Sequence, residues 1–160
     1  PVVVGYLWLC ERLPWEKIIA FCLVVGLVSL FIALPFLLWD AKAFADSVIF
    51  YLAGTSTQSY PISGYGLGML LYTSGVIRDV HAYYPFALWQ ALLGIPALVW
   101  GIALFRTYRT ISMVFIVHAV TLFVIWYTSR YFNNSHVAYL SLLLMVGVLK
   151  YWDEIESASV

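Results

Sequence analysis

Apolar and polar positions in this chain fall into long blocks rather than a short alternation. Ile18–Trp39 carries no charge, and at 1.5 Å per helical residue it spans about 30 Å, the thickness of a bilayer core. Pro85–Phe105, Thr110–Thr128 and Val137–Trp152 repeat the pattern. Pro1–Cys10 is apolar but covers only about 15 Å, half that thickness. Charged or polar breaks separate the blocks: Glu11–Lys17, Gly54–Ser63, Arg78–His81, Arg106–Arg109 and Ser129–His136, with a solvated tail from Asp153. Pro85 is placed to open its span, Pro96 to kink it and Pro35 to bend the span before it.

Two stretches depart from the spanning pattern. After Trp39-Asp40 the chain becomes amphipathic. Phe44, Val48, Ile49 and Leu52 share one helical face, and Lys42 and Asp46 pair on the other. Asp40 is a good N-cap, since its carboxylate accepts from the free amides of a first turn. The reading is a helix over Ala41–Ala53 that leaves the bilayer core and lies along its surface. Gly64–Val76, GYGLGMLLYTSGV, is apolar but glycine-rich and too short to span, which predicts a re-entrant or interfacial segment. The expected fold is all-α: a polytopic transmembrane helix bundle over residues 1–160 as one membrane domain, with an interfacial helix at 41–53 and a tail at 153–160. Because Pro1 starts inside an apolar helix, the chain reads as the C-terminal part of a longer protein.

Composition agrees. The chain of 160 residues is 64% hydrophobic and 10% charged, with a mean hydropathy of +0.93. The seven tryptophans (Trp8, Trp15, Trp39, Trp89, Trp100, Trp126, Trp152) fall in or near the outer turns of the predicted spans, as in an aromatic belt. The net charge is zero, so no basic surface argues for nucleic acid. Cys10 and Cys22 lie in or beside apolar blocks and read as packing residues, neither a disulfide framework nor a zinc site. If Gly64–Val76 does not span, Arg12, Lys17, Arg106, Arg109 and Lys150 share one side against Lys42, Arg78 and Arg130; if it does, the division is even. The positive-inside rule then predicts a multi-pass cell-membrane protein with a cytoplasmic C-terminus.

The chain has no G-x-S-x-G, P-loop or H-E-x-x-H motif. Gly64-Tyr65-Gly66-Leu67-Gly68 suits close backbone packing, or a half-helix whose amides face a phosphate. Arg130, Asn133, Asn134 and His136 form the polar island before the last span. Arginine matches phosphate oxygens with its planar fork, and Asn and His can hold hydroxyls; the alternative is an ordinary polar loop. Asn133-Asn134-Ser135 is formally a glycosylation sequon, too close to the membrane to use. Arg78 and His81, with Asp79 between them, are candidates for phosphate binding or an acid–base pair, or are simply interface charges. Asp40 is a candidate ligand-holding acid, though a helix cap is its simpler role. His118 sits in mid-span with Thr121 one turn on and Gln90 as a possible partner. It could ligate a haem iron or a chlorophyll magnesium, or make a plain interhelical hydrogen bond.

PFLLWDAKAFADSVIFY, at Pro35–Tyr51, resembles the motif P-F-x-x-W-D followed by an amphipathic helix, found in the C-terminal half of GT-C-type membrane glycosyltransferases of the family 87 kind. The short G-x-G segment that follows, at Gly64–Leu71, and the F-x-N motif at Phe132-Asn133-Asn134 before the last span are similar in order and spacing. The resemblance covers most of Leu34–Gly147. It implies transfer of a sugar from a polyprenyl-phosphate donor on the outer membrane face, with Arg130 and Asn133 near donor phosphate or acceptor hydroxyl and no cofactor. It also implies a catalytic acid on an early outer loop, which nothing in these residues matches. The competing expectation is a non-catalytic transmembrane accessory subunit of a photosynthetic or respiratory complex, packed against partner subunits and contacting a pigment through His118. A transporter would want paired charges inside the spans, and apart from His118 the spans have none.

Overall fold

A computed structural model describes residues 1–56 and 59–158, and of Ala158 only the backbone. Thr57 and Gln58 of the polar loop and Ser159 and Val160 of the tail lie outside the described residues. The chain is mostly helical: α1 (Val2–Leu9), α2 (Trp15–Ala45), α3 (Leu67–Thr73), α4 (Phe86–Leu104), α5 (Ile111–Tyr127) and α6 (Asn134–Ala158). A π-helical turn at Asp46–Phe50 and a last turn at Tyr51–Ala53 prolong α2. Two-residue strands β1 (Ser63–Gly64) and β2 (Tyr131–Phe132) pair in parallel.

Three helical stretches are long and apolar enough to cross a bilayer: Trp15–Ala53, Phe86–Leu104 and Asn134–Ser157. The apolar α5 has 17 residues, at the short end of spanning length. The Thr110–Thr128 block closes on α5 with Thr110 and Thr128 as its caps, so a run edited by polar residues ends where they stand. The Gly64–Val76 segment forms only the seven-residue α3, about 10 Å of helix, too short to cross.

α2 is bare. Ile18 is its one buried residue, and Phe31, Leu38 and Trp39 are 78%, 77% and 93% exposed. A helix apolar all round suits a lipid environment or the middle of a larger protein. The other helices do pack. α5 lies between α4 and α6, and α1 rests on α4 and α5 through a core of Val2, Tyr6, Phe105 and Val117. Gly101 permits the close α4–α5 approach, since a Cβ there would meet Val117 at 2.5 Å.

The bend in α2 is not at Pro35. The helix runs through that residue and breaks at Asp40, which is extended (φ −156°, ψ 94°). Its Oδ1 accepts the Ala43 amide at 2.9 Å, so Asp40 is the N-cap of the second arm. An acid that can satisfy a new first turn stops a helix as effectively as a missing amide does. Pro96 lies within α4, which continues across it as one helix.

Each end of the bundle is fastened separately. At one end Cys10 Sγ donates to Phe105 O at 3.4 Å, joining the ends of α1 and α4. There Glu154 of α6 caps α5: Oε1 accepts the Ile111 and Ser112 amides at 2.9 and 3.2 Å, and Oε2 accepts the Ser112 hydroxyl at 2.6 Å. The tail expected to be merely solvated is therefore helical through Ala158, with Glu154 as an anchor. The other end gathers the loops around β1 and β2.

Candidate functional site

Arg130 stands between the end of α5 and β2 and is 2% exposed. Its Nε donates to Tyr60 O, Nη1 to Ala82 O at 2.8 Å, and Nη2 to Val80 O at 2.9 Å. The fork thus ties three points of two loops to the start of β2. Burial lowers its pKa and neighbouring Asp79 opposes this, but a guanidinium keeps its charge at any ordinary pH. Gly54, at the end of the α2 extension, is left-handed (φ +83°), and a Cβ there would strike the guanidinium.

The glycine-rich run packs against the strand that follows Arg130. Gly64 has φ +90°, and an added Cβ would collide with Phe132 O; at Gly66 it would lie 2.6 Å from Tyr127 O. The Tyr65 amide donates to Phe132 O at 2.7 Å. The G-x-G-x-G spacing serves close approach of two backbones, with the Tyr65 amide spent on Phe132 O.

These contacts enclose a cavity of about 390 Å³. Leu52, Ala53 and Thr55 come from the end of the α2 extension, Tyr83–Ala87 from the loop into α4, and Gln90 from α4 itself. Ile125, Trp126 and Ser129 close it from α5, with Arg130 and Tyr131 behind. Gln90 Nε2 donates to Ile125 O at 3.2 Å, fixing that amide across the α4–α5 seam. Trp89 Nε1 donates to the Tyr84 hydroxyl at 3.1 Å. Burial, then the neighbouring Tyr60, raise the pKa of Tyr131, so its hydroxyl stays protonated at neutral pH. Arg130 is the one charged residue in the lining among the described residues, and its fork is engaged with carbonyls. The chamber is therefore aromatic and hydrogen-bonding without a free charge.

Comparison of the chain with family models, with curated proteins and with solved structures finds no match.

Of the residues predicted from sequence, the structure brings only Arg130 into the cavity wall. Asn133 and His136 lie just beyond it, with Asn133 Oδ1 and His136 Nδ1 2.6 Å apart and the imidazole against Trp126 and Tyr131. Asn134 is exposed at the first turn of α6, and Arg78 is exposed in its loop. His81 and Asp79 do not form a ring–carboxylate pair: Asp79 Oδ1 accepts the His81 main-chain amide at 2.9 Å, and the His81 ring contacts Ser59 O at 3.1 Å. Asp40 is at the far end of the surface arm. His118 is half-buried in mid-α5; Gln90, its expected partner, bonds Ile125 O instead. No group of three metal-ligating side chains occurs among the described residues. Tyr83, Tyr84, Gln90 and Trp126 were not picked out as a site. The available signal was the aromatic run Tyr83-Tyr84-Pro85-Phe86 at the mouth of a span.

Proposed function

We propose that the chain is a polytopic membrane bundle forming the sugar-binding wall of a GT-C-type glycosyltransferase, of the family 87 kind, that uses a polyprenyl-phosphate sugar donor. The observation that carries this reading is convergence. The end of the surface helix after the W-D motif and Tyr131, next to the F-x-N motif, line one cavity, and the glycine-rich segment, outside that lining, pairs with the Tyr131–Phe132 strand. Its lining suits an uncharged sugar: aromatic faces cover the apolar side of a pyranose, and the Gln90 side-chain oxygen and the Thr55 hydroxyl meet its hydroxyls. The cavity end of the bundle would be extracytoplasmic, and the end with Arg12, Lys17, Arg106, Arg109 and Lys150 cytoplasmic. Among the described residues the lining contains no carboxylate. The residues assigned here hold the sugar, and the acid that activates the acceptor is not assigned to this chain. With Arg130 engaged, the cations left on this side for the donor phosphate are Arg78 and Lys42, both exposed and without an ion pair among the described residues; Arg78 is the one in the loops next to the cavity.

The test is transfer from radiolabelled polyprenyl-phosphate hexoses in membranes containing the natural full-length protein. Tyr83 is 63% exposed, so Tyr83→Ala should leave membrane levels unchanged. We expect it and Gln90→Ala each to reduce transfer by about tenfold or more, the worth of one well-placed contact of about 1.4 kcal/mol. Full turnover by both variants would overturn the assignment.

A further inference from the structure

A second cleft lies in the elbow of α2, away from the sugar cavity. Eight residues of straight helix advance about 12 Å. The rings of Phe36 and Phe44 nonetheless lie 6.4 Å apart and nearly parallel, at 22°. The break at Asp40 has folded the second arm back toward the first. The space between the arms is about 690 Å³, lined mainly by Pro35, Phe36, Trp39, Phe44 and Val48 with Asp40 at the vertex. On the membrane reading above, on which this inference rests, the cleft lies where span gives way to surface helix, directly under the lipid headgroups.

Charge decides the occupant. Asp40 is the one charged residue in the lining. One carboxylate oxygen caps Ala43, and the other has no partner among the described residues. An anion there repels a bare phosphate head and attracts a primary ammonium, which offers three donors as lysine does. We propose that the elbow holds an acyl chain of a bilayer phospholipid with a primary-amine headgroup, its ammonium on Asp40. Phe36 and Phe44 flank the chain, and Asp40 selects the head.

The experiment places the full-length protein in phosphatidylcholine vesicles doped with phosphatidylethanolamine or phosphatidylglycerol bearing a photoreactive acyl chain, and maps the adducts by mass spectrometry. Phosphatidylethanolamine should label Phe36, Trp39 or Phe44 several-fold more than phosphatidylglycerol does. Asp40→Asn keeps the cap, since asparagine caps as well as aspartate, but removes the charge. It should bring the two lipids to parity while labelling of the cleft persists. Equal labelling by both lipids in the unmodified protein, a preference that survives Asp40→Asn, or displacement of the label by a polyprenyl phosphate would each overturn the proposal. Alkaline carbonate extraction separates the two levels: release from the membrane sinks the membrane reading as well, whereas a retained protein without headgroup preference sinks only this one.

Discussion

The two ends of the bundle are each tied by one charged side chain, and the two ties differ in kind. Arg130 binds carbonyls from loops that few other bonds hold in register, among them Ile62 N–H to Val80 O and the His81 ring to Ser59 O. Glu154 binds amides at the start of α5, a helix that already packs along α6 for most of its length. The cation is almost wholly buried, and the loops around it carry only a two-residue strand pair and the small core of Ile62, Ile77 and Phe86. The anion is half-buried and finishes a seam that apolar packing makes anyway. An isolated hydrogen-bonding group matters most where the backbone has no other reason to be where it is.

Arg130→Ala should have the largest effect. It takes the arginine donor from the Tyr60 and Ala82 carbonyls, leaves Val80 O with the Ile62 amide alone, and opens a void beside Gly54, at a cost of about 3–5 kcal/mol. Thermal unfolding in detergent would show the loss, and protease cleavage would concentrate in residues 54–85. Arg130→Lys should recover little, because an ammonium cannot reproduce the fork. A small shift in Arg130→Ala would end the comparison. Gly64→Ala comes next, since it combines a left-handed backbone with a clash against a carbonyl; we expect about 2–3 kcal/mol and the same protease pattern. Cleavage elsewhere would mean that the β1–β2 contact does not hold this end.

Glu154→Gln should cost less, about 1–2 kcal/mol, with protection at the cavity end unchanged. A loss equal to that of Arg130→Ala would show the two ties to be equivalent. The smallest effect concerns pH. Burial raises the Tyr131 pKa above its unfolded value of about 10, so the folded state keeps this proton longer than the unfolded state does. The stability it represents is complete below about pH 10 and falls as pH rises past that value. Tyr131→Phe should lose less of its melting temperature between about pH 8 and about pH 11 than the unmodified protein does; an unchanged alkaline loss would remove Tyr131 from the account.

What could be read from sequence follows the range of the physics. A bilayer-length apolar run is a local signal, and so is the cap at Asp40, which needs only its own carboxylate and an amide three residues on. The ends of α5 were legible for the same reason. The role of Arg130 was not, because it depends on Tyr60, Val80 and Ala82 meeting at one point, and a single arginine before an aromatic pair looks equally like a phosphate ligand. The two-residue strands have too few positions to show a period. Gln90 and Tyr83 enter the cavity only because α4 packs on α5 and the loops fold over the seam. Pro35 shows the opposite error: a strong local breaker was tolerated, and the bend came five residues later, where a side chain could satisfy the freed amides.

The tie between Tyr60 and Arg130 also has a place in time, for 70 residues separate its partners. At a synthesis rate of about 5–20 residues per second, Tyr60 emerges about 4–14 s before the arginine that will secure it. Throughout that interval the loop and the glycine-rich segment have been made, but the clamp and the strand that should receive them do not yet exist. The cavity can be assembled only after α5 and the strand beyond it have been made, so its early walls stand without their clamp until the late part of the chain arrives.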